Sequence, residues 1–288
     1  MKKALTKMTY RDTYQNGLQV LVSANVPDAK LDARLLLEYV CGTTQHDMIL
    51  HGERVLTDAE AKQYEALIAK RADRIPLQHI TGVQEFMGYT FQVNEHVLVP
   101  RQDTEVLVED ALQYVKPGMN VLDMCTGSGC ILLSILANCA DVTGLGVDIS
   151  TLALAVATEN AKQISAQAGK TLQVNFLESD VFANVEGKFD MIVSNPPYIP
   201  SAVIDTLEPE VRLHEPLGAL DGTEDGLYFY EKIITESRDY LKEGGVLLFE
   251  IGHDQGEAVS SLMKETGFQK VYVKKDYAGL DRVVVGFF

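Results

Sequence analysis

Lysine and arginine are scarce in this 288-residue chain: 25 of them stand against 41 aspartates and glutamates, for a formal charge of −16. Contacts from Lys and Arg to phosphates supply most of the affinity for nucleic acid, so this balance disfavours nucleic acid as the bulk partner, while leaving room for a local basic patch. Cysteine is scarce too. Cys41, Cys125, Cys130 and Cys139 are too few for a disulfide framework. Three of them lie in or beside one apolar stretch where buried thiols are common, which points to a reducing cytoplasm. No apolar run approaches the roughly 18 residues that would span a bilayer, and the opening MKKALTKMTYRD has no apolar signal core behind its lysines. A cytoplasmic protein with no membrane partner is expected. No set of His, Cys and carboxylate residues has metal-ligand spacing, and no internal repeat or low-complexity segment is present.

What is there suits a globular enzyme. The chain is 46% hydrophobic, ample for one large domain or a large and a small one. Up to residue 75 the pattern is helical, with apolar residues at three- and four-residue spacing in Leu31, Ala33, Leu35, Leu36, Tyr39 and Val40, and again in Ala59, Tyr64, Leu67 and Ile68. Asp28 and Thr57 stand where N-caps belong. Residues 76–100 change character: Phe86, Tyr89, Phe91, Val93 and Val97 alternate with polar residues, and Asn94-Glu95 is placed to turn the chain, so a β-hairpin linker is expected. Over residues 101–288 strand and helix alternate, which implies a parallel sheet. Its strands are expected at Val121–Met124, Gly144–Asp148, Val174–Glu178, Met191–Ser194 and Val246–Ile251, with helices starting near Gly129, Thr151, Leu227 and Gln255. The tail VYVKKDYAGLDRVVVGFF reads as an antiparallel hairpin closing the sheet.

VLDMCTGSGC, Val121–Cys130, is a strand, a Gly-rich turn and the start of an apolar helix. Gly127 and Gly129 permit close backbone approach, and the helix N-terminus beyond them offers unpaired amides. Asp148 ends the next strand about 20 residues later, where a carboxylate can accept both hydroxyls of a ribose. Asp180, after the third strand, is placed to reach an exocyclic amine. An ordinary tight turn would also use such glycines, but the Asp148 spacing favours a nucleoside site. Cys125 occupies the place of the first glycine, so the backbone there must manage without that freedom. Whether the nucleoside belongs to a dinucleotide or to S-adenosylmethionine stays open at this point.

Asn195-Pro196-Pro197-Tyr198 follows a buried strand, at the end that lines the ligand crevice of an open parallel sheet. A rigid turn would explain the prolines but not the flanking Asn and Tyr. The chemistry of an amino-group methyltransferase explains all four. An amide nitrogen is a poor nucleophile because its lone pair is delocalised, as its rotation barrier of about 18–20 kcal/mol shows. The Asn195 side-chain oxygen and the Pro196 carbonyl can hold its two N–H groups and stabilise the positive charge developing on nitrogen. Tyr198 would stack on the flat group, and Pro197 would stiffen the turn. No dedicated base is needed, and His46, His51, His79, His96, His214 and His253 read as surface or structural residues.

With these motifs in place, the chain resembles the peptide chain release factor glutamine methyltransferases, the PrmC/HemK family. The resemblance covers nearly the whole chain. It runs through RIPLQHITG, VLVPRQDTE, DMCTGSGC, GVDIS, NPPYIP, LEPEVRLHEPLGALDGTEDGL, LLFEIG and YAGLDRVV. It implies the class I S-adenosylmethionine-dependent methyltransferase fold, a seven-stranded, mostly parallel sheet with a C-terminal antiparallel hairpin, plus a small N-terminal helical domain that helps dock the release factor. The implied substrate is the glutamine of the Gly-Gly-Gln motif, the implied cofactor S-adenosylmethionine. By position, Cys125, Thr126, Gly127, Ser128, Gly129, Asp148, Val181 and Asn195 would contact the cofactor, with Asp180 nearby, and Asn195 to Tyr198 would hold the glutamine. Pro100, Arg101, Asp103 and Glu105 would cover the cofactor or shape the entrance. His79 replaces an expected tyrosine and Asp103 an expected glutamate. Glu208, Glu210 and Glu215 read equally as an acidic loop and as a surface facing a basic release factor. Two other substrates carry the same chemistry, a glutamine of a ribosomal protein and, against the net charge, a DNA or RNA amino group.

Overall fold

A computed structural model describes residues 8–288; the first seven residues of the expected helical region lie outside the described ones. In chain order the elements are α1 (Tyr10–Ser23), α2 (Ala29–Cys41), α3 (Gln45–Leu50), α4 (Asp58–Ala72), α5 (Leu77–Thr81), β1 (Val83–Phe86), β2 (Tyr89–Gln92) and α6 (Glu105–Ala111). There follow β3 (Asn120–Met124), α7 (Cys130–Asn138), β4 (Thr143–Asp148), α8 (Thr151–Gln167), β5 (Gln173–Glu178) and β6 (Phe189–Ser194). The remainder comprises α9 (Ser201–Ile204), α10 (Pro209–His214), α11 (Tyr228–Ser237), β7 (Leu241–Glu250), α12 (Gly256–Glu265), β8 (Gln269–Lys275) and β9 (Asp281–Phe287). The contacts divide the chain into two units, one of residues up to Gly82 with Pro209–His214, the other of the rest.

In the first unit, Thr9, Thr44 and Thr57 each close a capping box at a helix start, satisfying amides that have no partner within the helix. Asp28 occupies the corresponding place before α2 but makes no side-chain cap, because its backbone is not extended there. The inward stripe of α2 is Ala29, Asp32, Ala33, Leu36 and Leu37, so Leu31 and Tyr39, which fit the apolar spacing, are exposed. Tyr10, Leu21, Leu36 and Tyr64 fill the core, and Gly17 has no side chain because the Tyr64 ring lies against it.

The buried Asp32 carboxylate pairs with Arg71 at 2.7 Å, and Arg71 and Arg74 both bind Glu210 of α10. Glu210 is therefore held inside this unit, not offered to a partner as the reading of a surface facing a basic release factor allowed. Burial pushes its carboxyl up, but hydrogen bonds from Arg74 and Arg71 outweigh it and hold the pKa at about 2. A depressed carboxylate contributes stability above its unfolded pKa, and that contribution is lost as pH falls through the folded one. Glu210→Gln is therefore expected to lower the melting temperature at pH 7, with the gap to the unaltered protein closing between about pH 4.5 and pH 2. A gap independent of pH would show that the ion pairs are not its source.

The second unit is built on a seven-stranded sheet of order β5-β4-β3-β6-β7-β9-β8. The five strands from β5 to β7 are parallel, and β9 runs antiparallel to both β7 and β8. This is the class I methyltransferase sheet that the resemblance implies. Its central strands β3, β6 and β7 are buried over most of their length because helices cover both faces: α7 and α8 pack on one cluster, α11 and α12 on the other. The order reverses at β3, so the carboxyl ends of β3, β4 and β6 meet at a switch point, the usual ligand crevice of such sheets.

The β1–β2 hairpin belongs to this unit. Its turn falls at Met87-Gly88, not at Asn94-Glu95. Both residues take positive φ, 51° and 77°, as a two-residue hairpin turn requires. Asn94 instead accepts the His96 amide in a later turn.

Candidate active site

Beyond β3 the chain turns through Cys125-Thr126-Gly127-Ser128-Gly129. Cys125 has φ 61°, so its backbone does enter the left-handed region despite its side chain, at a cost of about 1–2 kcal/mol. The turn is held from both sides: the Thr126 amide donates to the Val147 carbonyl at 2.9 Å, and the Thr126 hydroxyl donates to Asp123 at 2.6 Å. Gly129, at φ 78°, packs so closely on Leu133 and Ala157 that a Cβ would approach both within 3.0–3.3 Å. Gly127, at φ 54°, has open space where its Cβ would be, leaving room for a ligand along the loop.

Asp148 ends β4 across from this loop. One carboxylate oxygen accepts the Gly127 amide and the other accepts the Ser150 amide, each at 2.9 Å. Burial raises its pKa, and the backbone amides of Ser150, Gly127 and Ile149 pull it down. A carboxylate has about four acceptor sites, so these backbone amides do not exhaust its capacity to accept. Val181 also carries a strained backbone, φ 52°, costly for a β-branched residue. The buried Ser179 hydroxyl secures that turn by donating to the Val181 carbonyl at 2.7 Å and accepting from Asn184.

Asn195 follows β6 directly. Ser194 donates to the Met124 carbonyl at 2.6 Å, tying the end of β6 to the end of β3. The neighbouring Glu250, at the end of β7, is buried. Burial raises its pKa to about 7, partly offset by hydrogen bonds from Thr104 and Asn195. These loops enclose a cavity of about 370 Å³, within the range of small-molecule sites.

Of the candidate residues, Arg101, Cys125, Thr126, Gly127, Ser128, Asp148, Asp180, Val181, Asn195 and Pro197 line the cavity. Gly129, Pro196 and Tyr198 do not. Gly129 lies behind the loop, Pro196 is buried, and Tyr198 packs against the cluster containing Tyr230 and Phe249. Asp180 is largely exposed and pairs with Lys232 at 2.9 Å. Arg101 is held by Glu215 at 2.6 Å, and the buried Glu215 carboxylate faces this arginine, not a partner's surface. Asp103 and Glu105 are absent from the lining. A helical turn directs Thr104 inward, Asp103 pairs with Arg282 at 3.4 Å, and Glu105 accepts the Met87 amide. His96, read as a surface or structural residue, does line the cavity.

Asn160 is a supporting residue that no motif announced. Fully buried on α8, it exchanges hydrogen bonds with the Gln92 backbone at 2.7 and 3.1 Å and donates to the Ser128 carbonyl at 2.9 Å. The available signal was an asparagine on the same helix face as Ala153, Ala157 and Ile164. Asn160→Leu leaves the Ser128 carbonyl, which is buried, and the part-buried amide and carbonyl of Gln92 unpaired, an expected loss of about 2–4 kcal/mol. By calorimetry the melting temperature should fall by about 5–10 °C; a change under 1 °C would contradict this role.

The described residues contain no helix long and apolar enough to cross a membrane, and all four cysteines are free. Family models match the chain twice, the PrmC N-terminal domain over residues 12–82 and the methyltransferase small domain over residues 102–207. A release factor glutamine methyltransferase of Caulobacter vibrioides is 42% identical, the match covering 92% of either chain. One from Moorella thermoacetica is 39% identical over 97% of this chain and 99% of its own. Among solved structures, a methyltransferase from Pyrococcus furiosus shares the fold, with a TM-score of 0.52 at 15% identity, over 77% of this chain and 96% of that one.

Proposed function

Because this chain belongs to the release factor glutamine methyltransferases, we propose that it methylates the side-chain amide nitrogen of a release factor's Gly-Gly-Gln glutamine in the cytoplasm, with S-adenosylmethionine as donor. The observation that carries this reading is the position of Asn195-Pro196-Pro197-Tyr198, which begins where β6 ends, beside a cavity walled by the Gly-rich loop and Asp148. When bound, S-adenosylmethionine supplies an electrophilic methyl group on a sulfonium.

The chain's own residues then account for binding and orientation. The free lone pairs of Asp148 accept the ribose hydroxyls, the loop from Cys125 to Gly129 lies along the nucleoside, and Asp180 and Val181 border the base. Arg101, held by Glu215, flanks the cavity. For the glutamine, Asn195 Oδ1 and the Pro196 carbonyl accept its two N–H groups, which turns the nitrogen lone pair toward the methyl group and stabilises the charge that grows on nitrogen. Tyr198 packs against the amide plane and Pro197 limits the motion of the turn. The cationic product loses its proton to solvent.

The test is transfer of labelled methyl from S-adenosylmethionine to purified release factor, beside a copy lacking the Gly-Gly-Gln glutamine, a ribosomal protein fraction and nucleic acid. Label confined to the intact release factor is the expected result. Label in a ribosomal protein or in nucleic acid instead would replace the substrate.

A further inference from the structure

We propose that Gln255 is a positioning residue for methyl transfer, its side-chain amide clamping the main chain of Tyr198 and thereby holding the Asn195–Tyr198 loop against the cavity. This rests on reading that loop as the amide-binding site. Gln255 precedes α12 and is buried. Its Oε1 accepts the Gly252 amide at 2.9 Å, and its Nε2 donates to the carbonyls of Tyr198 at 3.0 Å and Gly226 at 3.3 Å. A carboxamide can meet one donor and two acceptors in only one orientation, so the Gly252 amide dictates that the N–H groups face Tyr198.

The surroundings leave Tyr198 little room to shift. A Cβ on Gly222 would lie 2.7 Å from Tyr198 Cα, and one on Gly226 would collide with the Tyr198 carbonyl oxygen. Just beyond, the Ile199 amide donates to Leu220 and the Ile199 carbonyl accepts from Gly222. The loop is thus anchored at one end by Ser194 on the Met124 carbonyl and at the other by Gln255 on the Tyr198 carbonyl. The acceptors for the substrate amide lie between these anchors. A displacement near 1 Å there is enough to lower the rate about a hundredfold.

Gln255→Glu keeps the acceptor for Gly252 but sets a carboxyl oxygen against two carbonyls. Gln255→Met removes both functions at similar volume. The expected result is a fall in kcat of about a hundredfold for the first and about tenfold for the second. The Kd for S-adenosylmethionine, measured by calorimetry, should stay within about threefold in both. Hydrogen exchange at the Ile199 and Gly222 amides should quicken in Gln255→Met while the β3 and β4 amides are unchanged. Should Gln255→Glu fail to fold, the neutral variant carries the test. Folded variants turning over within about threefold of the unaltered enzyme would overturn the clamp. So would parallel losses of kcat and cofactor affinity, which would mark general damage. No methyl transfer by the unaltered enzyme would instead defeat the reading of the site itself.

Discussion

Asn195→Ala is expected to lower kcat for release factor methylation by about 10²–10³-fold while leaving the S-adenosylmethionine Kd within a few-fold. Removing one preorganised partner of a developing charge typically costs that much. Here the partner is an acceptor for an N–H group that turns positive. The Pro196 carbonyl would still be present, which is why the loss stops short of the whole rate enhancement. Cofactor affinity should change little because the residues proposed to hold the nucleoside, Asp148 and the Gly-rich loop, are held independently of Asn195 by Val147, Ser150 and Asp123. Single-turnover methyl transfer together with calorimetry separates the two effects. A variant retaining more than a tenth of the normal rate would refute the acceptor role.

The sheet was legible because each parallel strand carries a short apolar stretch that ends at a recognisable stop. The strands at Thr143–Asp148, Gln173–Glu178 and Phe189–Ser194 end at the residues expected, and α8 begins at Thr151 as read. The Gly-rich turn and the Asn-Pro-Pro-Tyr segment were legible for the same reason, since each pairs a rare local composition with a strand end. Chemistry made by partners distant in sequence was not. Nothing near Asn160 says that it bonds to Gln92 and Ser128, 68 and 32 residues away. Glu215 reads as one more acid in an acidic loop until Arg101, 114 residues upstream, is brought to it. The hairpin turn was misplaced because Asn-Glu looks polar and turn-like, whereas the turn used is Met87-Gly88. A methionine tolerates positive φ there with its amide satisfied by the Glu105 carboxylate at 2.7 Å. The periodicity in α2 located the helix but not its buried side, because Asp32 is buried only by virtue of Arg71.

Asp148→Ala is expected to weaken S-adenosylmethionine binding by two orders of magnitude or more, with methyl transfer recovering only at cofactor concentrations raised in proportion. Two losses combine. The ribose hydroxyls lose a charged acceptor, and hydrogen bonds to charged groups contribute about 1.5–3 kcal/mol each. The Gly127 and Ser150 amides lose the oxygens that now hold them at 2.9 Å, so the loop that should lie along the nucleoside is freed where its glycine already tolerates many conformations. Asp148→Asn separates these terms. Its single carbonyl oxygen can retain one backbone amide, while its NH₂ group would oppose the other, so a loss between those of the unaltered enzyme and the alanine variant is expected. Calorimetric titration of all three proteins, with kcat extrapolated to saturating cofactor, measures both quantities. If the alanine variant binds S-adenosylmethionine within tenfold of the unaltered enzyme, Asp148 is only a brace for the Gly-rich loop and the ribose site lies elsewhere. If binding collapses while saturated kcat stays near normal, the carboxylate acts before the reacting nitrogen is engaged, and the rate enhancement belongs to the loop beyond β6.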